Sequence, residues 1–149
     1  MPEAVIVDTI RTPIGRAFKG SLAQLRPDEL GAFVIDELLE RNQEVQPSDV
    51  EDVFCGCGMP QGLQAFNIAR IMVLLSKKLP ETVNGVTMSR YCASSLDSIR
   101  HAANAVRAGR APILDPGASR TGWVRAVLGP LENAGEDQLS EDSGSSRAL

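Results

Sequence analysis

Cys92 stands where an apolar, β-branched run ends and a helix-patterned run begins, within Thr87-Met88-Ser89-Arg90-Tyr91-Cys92-Ala93-Ser94-Ser95-Leu96. A cysteine at such a junction is placed for nucleophilic chemistry. Backbone N–H groups in the first turn of a helix lack intrahelical partners and carry the positive end of the peptide dipoles, so they favour thiolate, the attacking form of sulfur. Free cysteines are also among the most buried residues and commonly serve as small hydrophobes, so the local pattern by itself leaves both readings open.

The other candidate groups lead elsewhere. Cys55 and Cys57 form a Cys-x-Cys whose side chains share one face of a strand, but no second Cys or Cys-His pair follows to complete a four-ligand zinc site. They are expected to be buried strand thiols, with no metal. Gly56-Cys57-Gly58 lacks the further glycine of a dinucleotide fingerprint. His101, the sole histidine, follows Cys92 by nine positions. At about 100° per residue that is half a turn out of phase, so a surface histidine is expected and no Cys-His dyad. Ser94 and Ser95 are expected to help cap the helix that follows Cys92.

The elements that must position Cys92 alternate along the chain. Ala4 to Val7 reads as a strand. Leu30, Phe33, Val34, Leu38 and Leu39 trace a helical stripe introduced by Pro27, Asp28 and Glu29. Val53-Phe54-Cys55 reads as a second strand, and Ile68, Ile71, Met72 and Leu75 as a second helix closed by Lys77, Lys78 and Pro80. Thr82 to Thr87 makes a third strand. Leu96, Ile99, Ala102, Ala103 and Val106 then mark one face of a third helix. This βαβαβα order predicts an α/β layer with helices packed on a mostly parallel sheet, and the stripes are read as core.

Four blocks, in order, make the first 109 residues resemble the N-terminal part of the thiolases, the acyl-CoA C-acyltransferases. They are Glu3-Ala4-Val5-Ile6-Val7-Asp8-Thr9-Ile10-Arg11-Thr12-Pro13-Ile14-Gly15-Arg16; Gly20-Ser21-Leu22 with Arg26-Pro27-Asp28-Glu29-Leu30; Gly56-Cys57-Gly58 with Gln61-Gly62 and Asn67-Ile68-Ala69-Arg70; and Arg90-Tyr91-Cys92 with Ser94 and Leu96. The resemblance implies a partial thiolase-type layer in which Cys92 is the acyl-thioester nucleophile. It implies coenzyme A and acyl-CoA as substrates, with no bound cofactor, and either thiolytic cleavage or Claisen condensation in lipid metabolism. It also implies assembly as a homodimer or pairing with an intact thiolase, because the segment before the cysteine lies near the family's dimer interface. Ser89 and Ala93-Ser94-Ser95 depart from the Asn and the Ser-Gly pair of many thiolases. Cys-Ala-Ser-Ser is also similar to the β-ketoacyl synthases, which share the fold and use a cysteine in the same place.

From Arg110 the pattern changes. The last forty residues hold five Gly, three Pro and five Ser, with Trp123 as the only aromatic, too little apolar area to offset ordering entropy. The expectation is an incomplete thiolase domain over 1–109 and a divergent, disordered tail over 110–149, with out-of-frame translation favoured over a natural tail. Trp123 to Leu128 offers one short helix ended by Gly129-Pro130, with disorder from Glu132. Pro112 and Pro116 bracket Ile113-Leu114 and argue against a full strand there, leaving the edge of Val5-Ile6-Val7 unpaired. A full thiolase is more than twice as long and carries its other catalytic groups in later segments, so this chain is expected to be truncated and inactive alone. The alternative is a non-catalytic remnant that folds or oligomerises, and a β-ketoacyl synthase-like condensing enzyme is a weaker one.

Composition narrows the remaining classes. The 149 residues are 43% apolar, enough for a core, and a net charge of −4 argues against a dedicated nucleic-acid binder. The most apolar run, Ile71 to Leu75, is too short to cross a membrane, and the N-terminus has no signal-peptide pattern. Three cysteines, an odd number, fit a reducing compartment. A soluble cytoplasmic protein without nucleic-acid or membrane partners is expected.

Overall fold

A computed structural model of the chain describes residues 3–16 and 18–109, and the backbone of 121–124 and 126–127. The elements are β1 (Glu3–Ile6), α1 (Pro27–Arg41), β2 (Asp52–Gly56), α2 (Ile68–Leu75), β3 (Asn84–Met88), α3 (Ser94–Arg107), β4 (Thr121–Val124) and β5 (Ala126–Val127). The alternation read from the sequence is present, and two further strands follow it.

Among the described residues all strand pairs are parallel. β3 pairs with β2 from Asp52↔Asn84 to Gly56↔Met88, and Cys57 N–H extends this ladder to the Met88 carbonyl at 2.9 Å. β4 pairs with β1 from Glu3↔Thr121 to Ile6↔Val124, and β5 pairs with β2 at Phe54↔Ala126 and Cys55↔Val127. Only Arg125 separates β4 from β5, so one short segment pairs first with β1 and then with β2. Two expectations are corrected here. The edge of β1 is paired, because its partner begins at Thr121, past the prolines that argued against a strand. The stretch read as a short helix from Trp123 forms β4 and β5 instead, because sheet pairing overrides a weak local helical pattern. The expected disorder from Glu132 lies outside the described residues.

Alternation along β2 sorts its side chains between two helical layers. Val53 and Cys55, with Cys57 just beyond, join Ile35 and Leu39 of α1 and Ile68, Ala69, Met72 and Val73 of α2 in the main core. Phe54 faces the other way, toward Ala102, Ala103 and Val106 of α3 and Ala4 of β1. A Cβ on Gly31 would come within 2.4 Å of the Met72 methyl carbon, so the Met72 side chain occupies the space this glycine leaves between α1 and α2.

The helical stripes differ in phase from their sequence reading. On α1 the buried face is Asp28, Gly31, Ala32, Ile35, Leu38 and Leu39, with Val34 beside it, while Phe33 points outward. On α2 it is Ile68, Ala69, Met72 and Val73, with Leu75 exposed. Helix α2 also ends before Lys77 and Lys78. There the Asp36 carboxylate accepts hydrogen bonds from Ser76 Oγ at 2.5 Å and Lys77 N–H at 3.0 Å.

Candidate functional site

The site begins with the clamp that holds β3. Asn67 caps α2, its Oδ1 accepting from Arg70 N–H at 3.4 Å and from Thr87 Oγ1 at 2.7 Å, while its Nδ2 donates to the Gly85 carbonyl at 2.6 Å. Thr87 Oγ1 in turn accepts from Ala69 N–H at 3.1 Å, and Arg70 Nη1 donates to the Val83 and Glu81 carbonyls. A Cβ on Gly85 would fall 2.4 Å from Arg70 N. The start of α2 therefore lies directly on β3. In the sequence Asn67 and Arg70 stand out only as part of a block. The missed signal was an Asn immediately before an apolar helical run, a favoured N-cap.

Beyond β3 the chain turns sharply. Ser89 Oγ donates to the Gly58 carbonyl at 3.1 Å, and Tyr91 adopts φ 48°, a left-handed conformation unfavourable for a bulky residue. Cys92 follows and is exposed. Ala93 is the N-cap of α3, with no side-chain cap, so the capping role expected of Ser94 and Ser95 is not what the geometry shows. Ser94 Oγ instead accepts from Arg90 N–H at 2.8 Å and donates to the Tyr91 carbonyl at 2.6 Å, closing the turn across Cys92. The Ser94 backbone rests on β2, where a Cβ on Gly56 would lie 2.4 Å from the Ser94 carbonyl carbon.

Helix α3 presents Ser94, Ser98, Ala102 and Val106 to the sheet, a stripe of small residues that permits this close seating. Leu96, expected in the core, is 70% exposed instead. The outer face carries a charge cluster centred on Asp97. Its Oδ1 pairs with Arg90 Nη1 at 3.1 Å and Arg100 Nη2 at 2.8 Å, and its Oδ2 lies 3.8 Å from His101 Nε2. His101 is exposed and turned toward Asp97 and Arg100, as expected for a surface histidine. Among the described residues no hydrogen bond joins it to Cys92.

The other two thiols are buried. Cys57 Sγ donates to the Oε1 of buried Gln64 at 3.3 Å. Burial, helped by the neighbouring Cys57, pushes the Cys55 thiol up to about 12, and burial also raises that of Cys57. Both are buried and protonated at neutral pH, which leaves Cys92 as the exposed thiol. Among the described residues no three His, Cys, Asp or Glu side chains are grouped to hold a metal ion, and no helix is long and apolar enough to cross a membrane.

Comparison with known proteins gives the family of this parallel α/β chain. The family model described as thiolase, N-terminal domain, matches residues 4–114, and the chain belongs to the thiolase family. A β-ketoadipyl-CoA thiolase of Acinetobacter baylyi is 43% identical over 146 residues, covering 96% of this chain and 36% of that protein. A 3-ketoacyl-CoA thiolase of Bacillus subtilis is 45% identical over 109 residues, covering 73% of this chain and 27% of that protein. The 3-oxoadipyl-CoA/3-oxo-5,6-dehydrosuberyl-CoA thiolase of Escherichia coli is 43% identical over 117 residues, 78% of this chain and 29% of that protein. The chain thus spans about a third of the length of the curated relatives it matches. An alignment covering 96% of it also runs past residue 109, where the sequence reading ended the resemblance.

Proposed function

We propose that Cys92 is the acyl-carrying nucleophile of a thiolase acting on 3-ketoacyl-CoA substrates. The observation that carries this is one exposed thiol at the elbow between β3 and α3 of a matched thiolase domain, with the other two thiols buried and protonated. In thiolysis the Cys92 thiolate adds to the 3-keto carbon, the C2–C3 bond breaks, and acetyl-CoA leaves after its carbanion is protonated. Coenzyme A thiolate then displaces the cysteine from the acyl thioester, giving the shortened acyl-CoA. Condensation runs these steps in reverse, and the acyl-enzyme divides a difficult carbon–carbon step in two. The names of the relatives support 3-ketoacyl-CoA as the substrate class.

The 149-residue chain assayed by itself is expected to be inactive in turnover. Its single histidine faces Asp97, and general acid–base catalysis contributes roughly 10²–10⁴-fold, with about 2.7–4 kcal/mol for an oxyanion donor. Half-reaction labelling is the direct test. Incubation with acetyl-CoA or iodoacetamide near neutral pH, followed by peptide mapping, should modify Cys92 ahead of Cys55 and Cys57. Equal labelling of all three in folded protein would remove the reading. Thiolysis of acetoacetyl-CoA that disappears in Cys92→Ala would overturn the inactivity of the chain.

The remnant reading has its own support. Among the described residues β3 pairs only with β2, and Val86 on it is exposed. Such an edge suits pairing with a second copy or an intact thiolase. Light scattering after size exclusion tests it, and a strictly monomeric folded chain counts against it. For residues 110–149, the alignment past residue 109 and the pairing of β4 and β5 support a divergent in-frame continuation over out-of-frame sequence. The DNA after the Gly109 codon decides: another frame encoding closer thiolase segments would reverse this preference.

A further inference from the structure

We propose that Ser94 is a positioning residue for Cys92, its hydroxyl holding Tyr91 in the left-handed conformation that presents the sulfur. The inference rests on the reading of Cys92 as the nucleophile and adds the device that aims it. Tyr91 has φ 48° with a side chain that is 77% exposed, so packing does little to offset an unfavourable backbone. What surrounds it is hydrogen bonding. Ser94 Oγ accepts from Arg90 N–H at 2.8 Å and donates to the Tyr91 carbonyl at 2.6 Å, so one hydroxyl grips the chain on both sides of the strained residue. Ala93 N–H to the Arg90 carbonyl at 3.0 Å and Ser94 N–H to the Tyr91 carbonyl at 3.1 Å complete the turn.

The grip is referenced to the sheet. Ser94 is 2% exposed, and its backbone sits on Gly56 of β2 so closely that a Cβ there would overlap it. A hydroxyl anchored on β2 thus sets the conformation of the residue before Cys92. Cys92 is exposed and held one residue ahead of the α3 N-cap, Ala93. Among the described residues the Cys92 side chain makes no hydrogen bond in this network. Its placement is imposed by its neighbours.

The test uses the whole 149-residue chain and iodoacetamide, with peptide mapping of all three cysteines. Cys92 reports the elbow, and buried Cys55 and Cys57 report whether the fold is intact. Ser94→Ala should slow Cys92 alkylation by roughly three- to tenfold, the scale of a hydrogen bond, with Cys55 and Cys57 still protected. Ser94→Thr, which keeps the hydroxyl, should restore the rate to within about twofold on the same scale. In a Tyr91→Gly background, where glycine adopts positive φ without strain, the effect of Ser94→Ala should shrink. A parental rate in Ser94→Ala, or an equal loss in both backgrounds, overturns the proposal. If Ser94→Ala alone exposes Cys55 and Cys57, the Tyr91→Gly double variant decides: protected buried thiols with a near-parental Cys92 rate support positioning, and exposed ones overturn it. Alkylation needs no acyl transfer, so failure of Cys92 to be acylated by acetyl-CoA strikes the nucleophile reading separately.

Discussion

Cys55 and Cys57 lie under α1 and α2, packed against Ile35, Leu39, Ile68 and Met72, whereas Cys92 stands on a turn held mainly by hydrogen bonds. The first region is stabilised by burial, which is non-directional and scales with area. The second is stabilised by direction: a hydroxyl across Arg90 and Tyr91, a left-handed residue, and a helix seated on a glycine. The same side-chain chemistry is therefore inert in one region and available in the other. Burial keeps a thiol protonated, and the turn keeps one in solvent.

The largest expected effect would break the buried region. Ile68→Ala removes a fully buried side chain between α2 and β2 and should destabilise the fold by about 2–5 kcal/mol. Denaturant unfolding measures it, and Cys55 and Cys57 should become alkylated at lower denaturant. A midpoint equal to the parent's would show that α2 is not part of the cooperative core.

Gly56→Ala tests the seam between the two regions. The added Cβ meets the Ser94 backbone, which can only move away, and overpacking of this kind costs about 1–3 kcal/mol. The expected signature is a lower melting temperature together with a changed Cys92 alkylation rate. Lower stability with an unchanged Cys92 rate would mean that the elbow is independent of its seat on β2.

Asn67→Ala removes the cap of α2 and the bridge to Gly85 and Thr87. A lost N-cap is worth about 0.5–2 kcal/mol. Hydrogen exchange at the amides of Ala69 and Arg70 should quicken, and protection equal to the parent's would show that the clamp does not hold β3.

The smallest effect lies far from both thiol environments. Asp8 accepts from the Asn42 side chain at 2.9 Å and Thr9 N–H at 2.7 Å and pairs with Arg41, and these contacts, the Asn42 hydrogen bond first, hold its carboxyl below the ordinary 3.8. A group with a depressed folded-state value contributes stability above its unfolded value and loses it as pH falls through the folded one. Asp8→Asn should therefore lower stability modestly at neutral pH and flatten the acid limb below 3.8. Parallel pH–stability curves for the two proteins would show that the Asp8 contacts are not linked to folding.

Much of the architecture was legible in the order of residues. Strand and helix periods differ, so Ala4–Val7, Val53–Cys55 and Thr82–Thr87 could be told from the helices between them, and Pro27-Asp28-Glu29 marked the start of α1 because a first turn tolerates proline and attracts acids. Four short blocks were enough to point to the family that the comparison then showed. The junction at Cys92 was visible for the same reason, as a change of period.

What only the tertiary structure decided is which side of each element faces inward and which distant segments meet. Phe33 and Leu96 belong to apolar stripes by spacing yet face solvent, because the helix phase follows what each face meets: the Met72 side chain against Gly31 on α1, and the Ser94 backbone against Gly56 under α3. β4 was hidden because a four-residue strand next to β1 depends on a partner more than a hundred positions away in the chain. The Ser94 hydroxyl was assigned to a helix cap from its position alone. Its bonds to Arg90 and Tyr91 belong to the folded turn, where Tyr91 is left-handed and α3 is seated on β2, and position in the sequence does not reveal them.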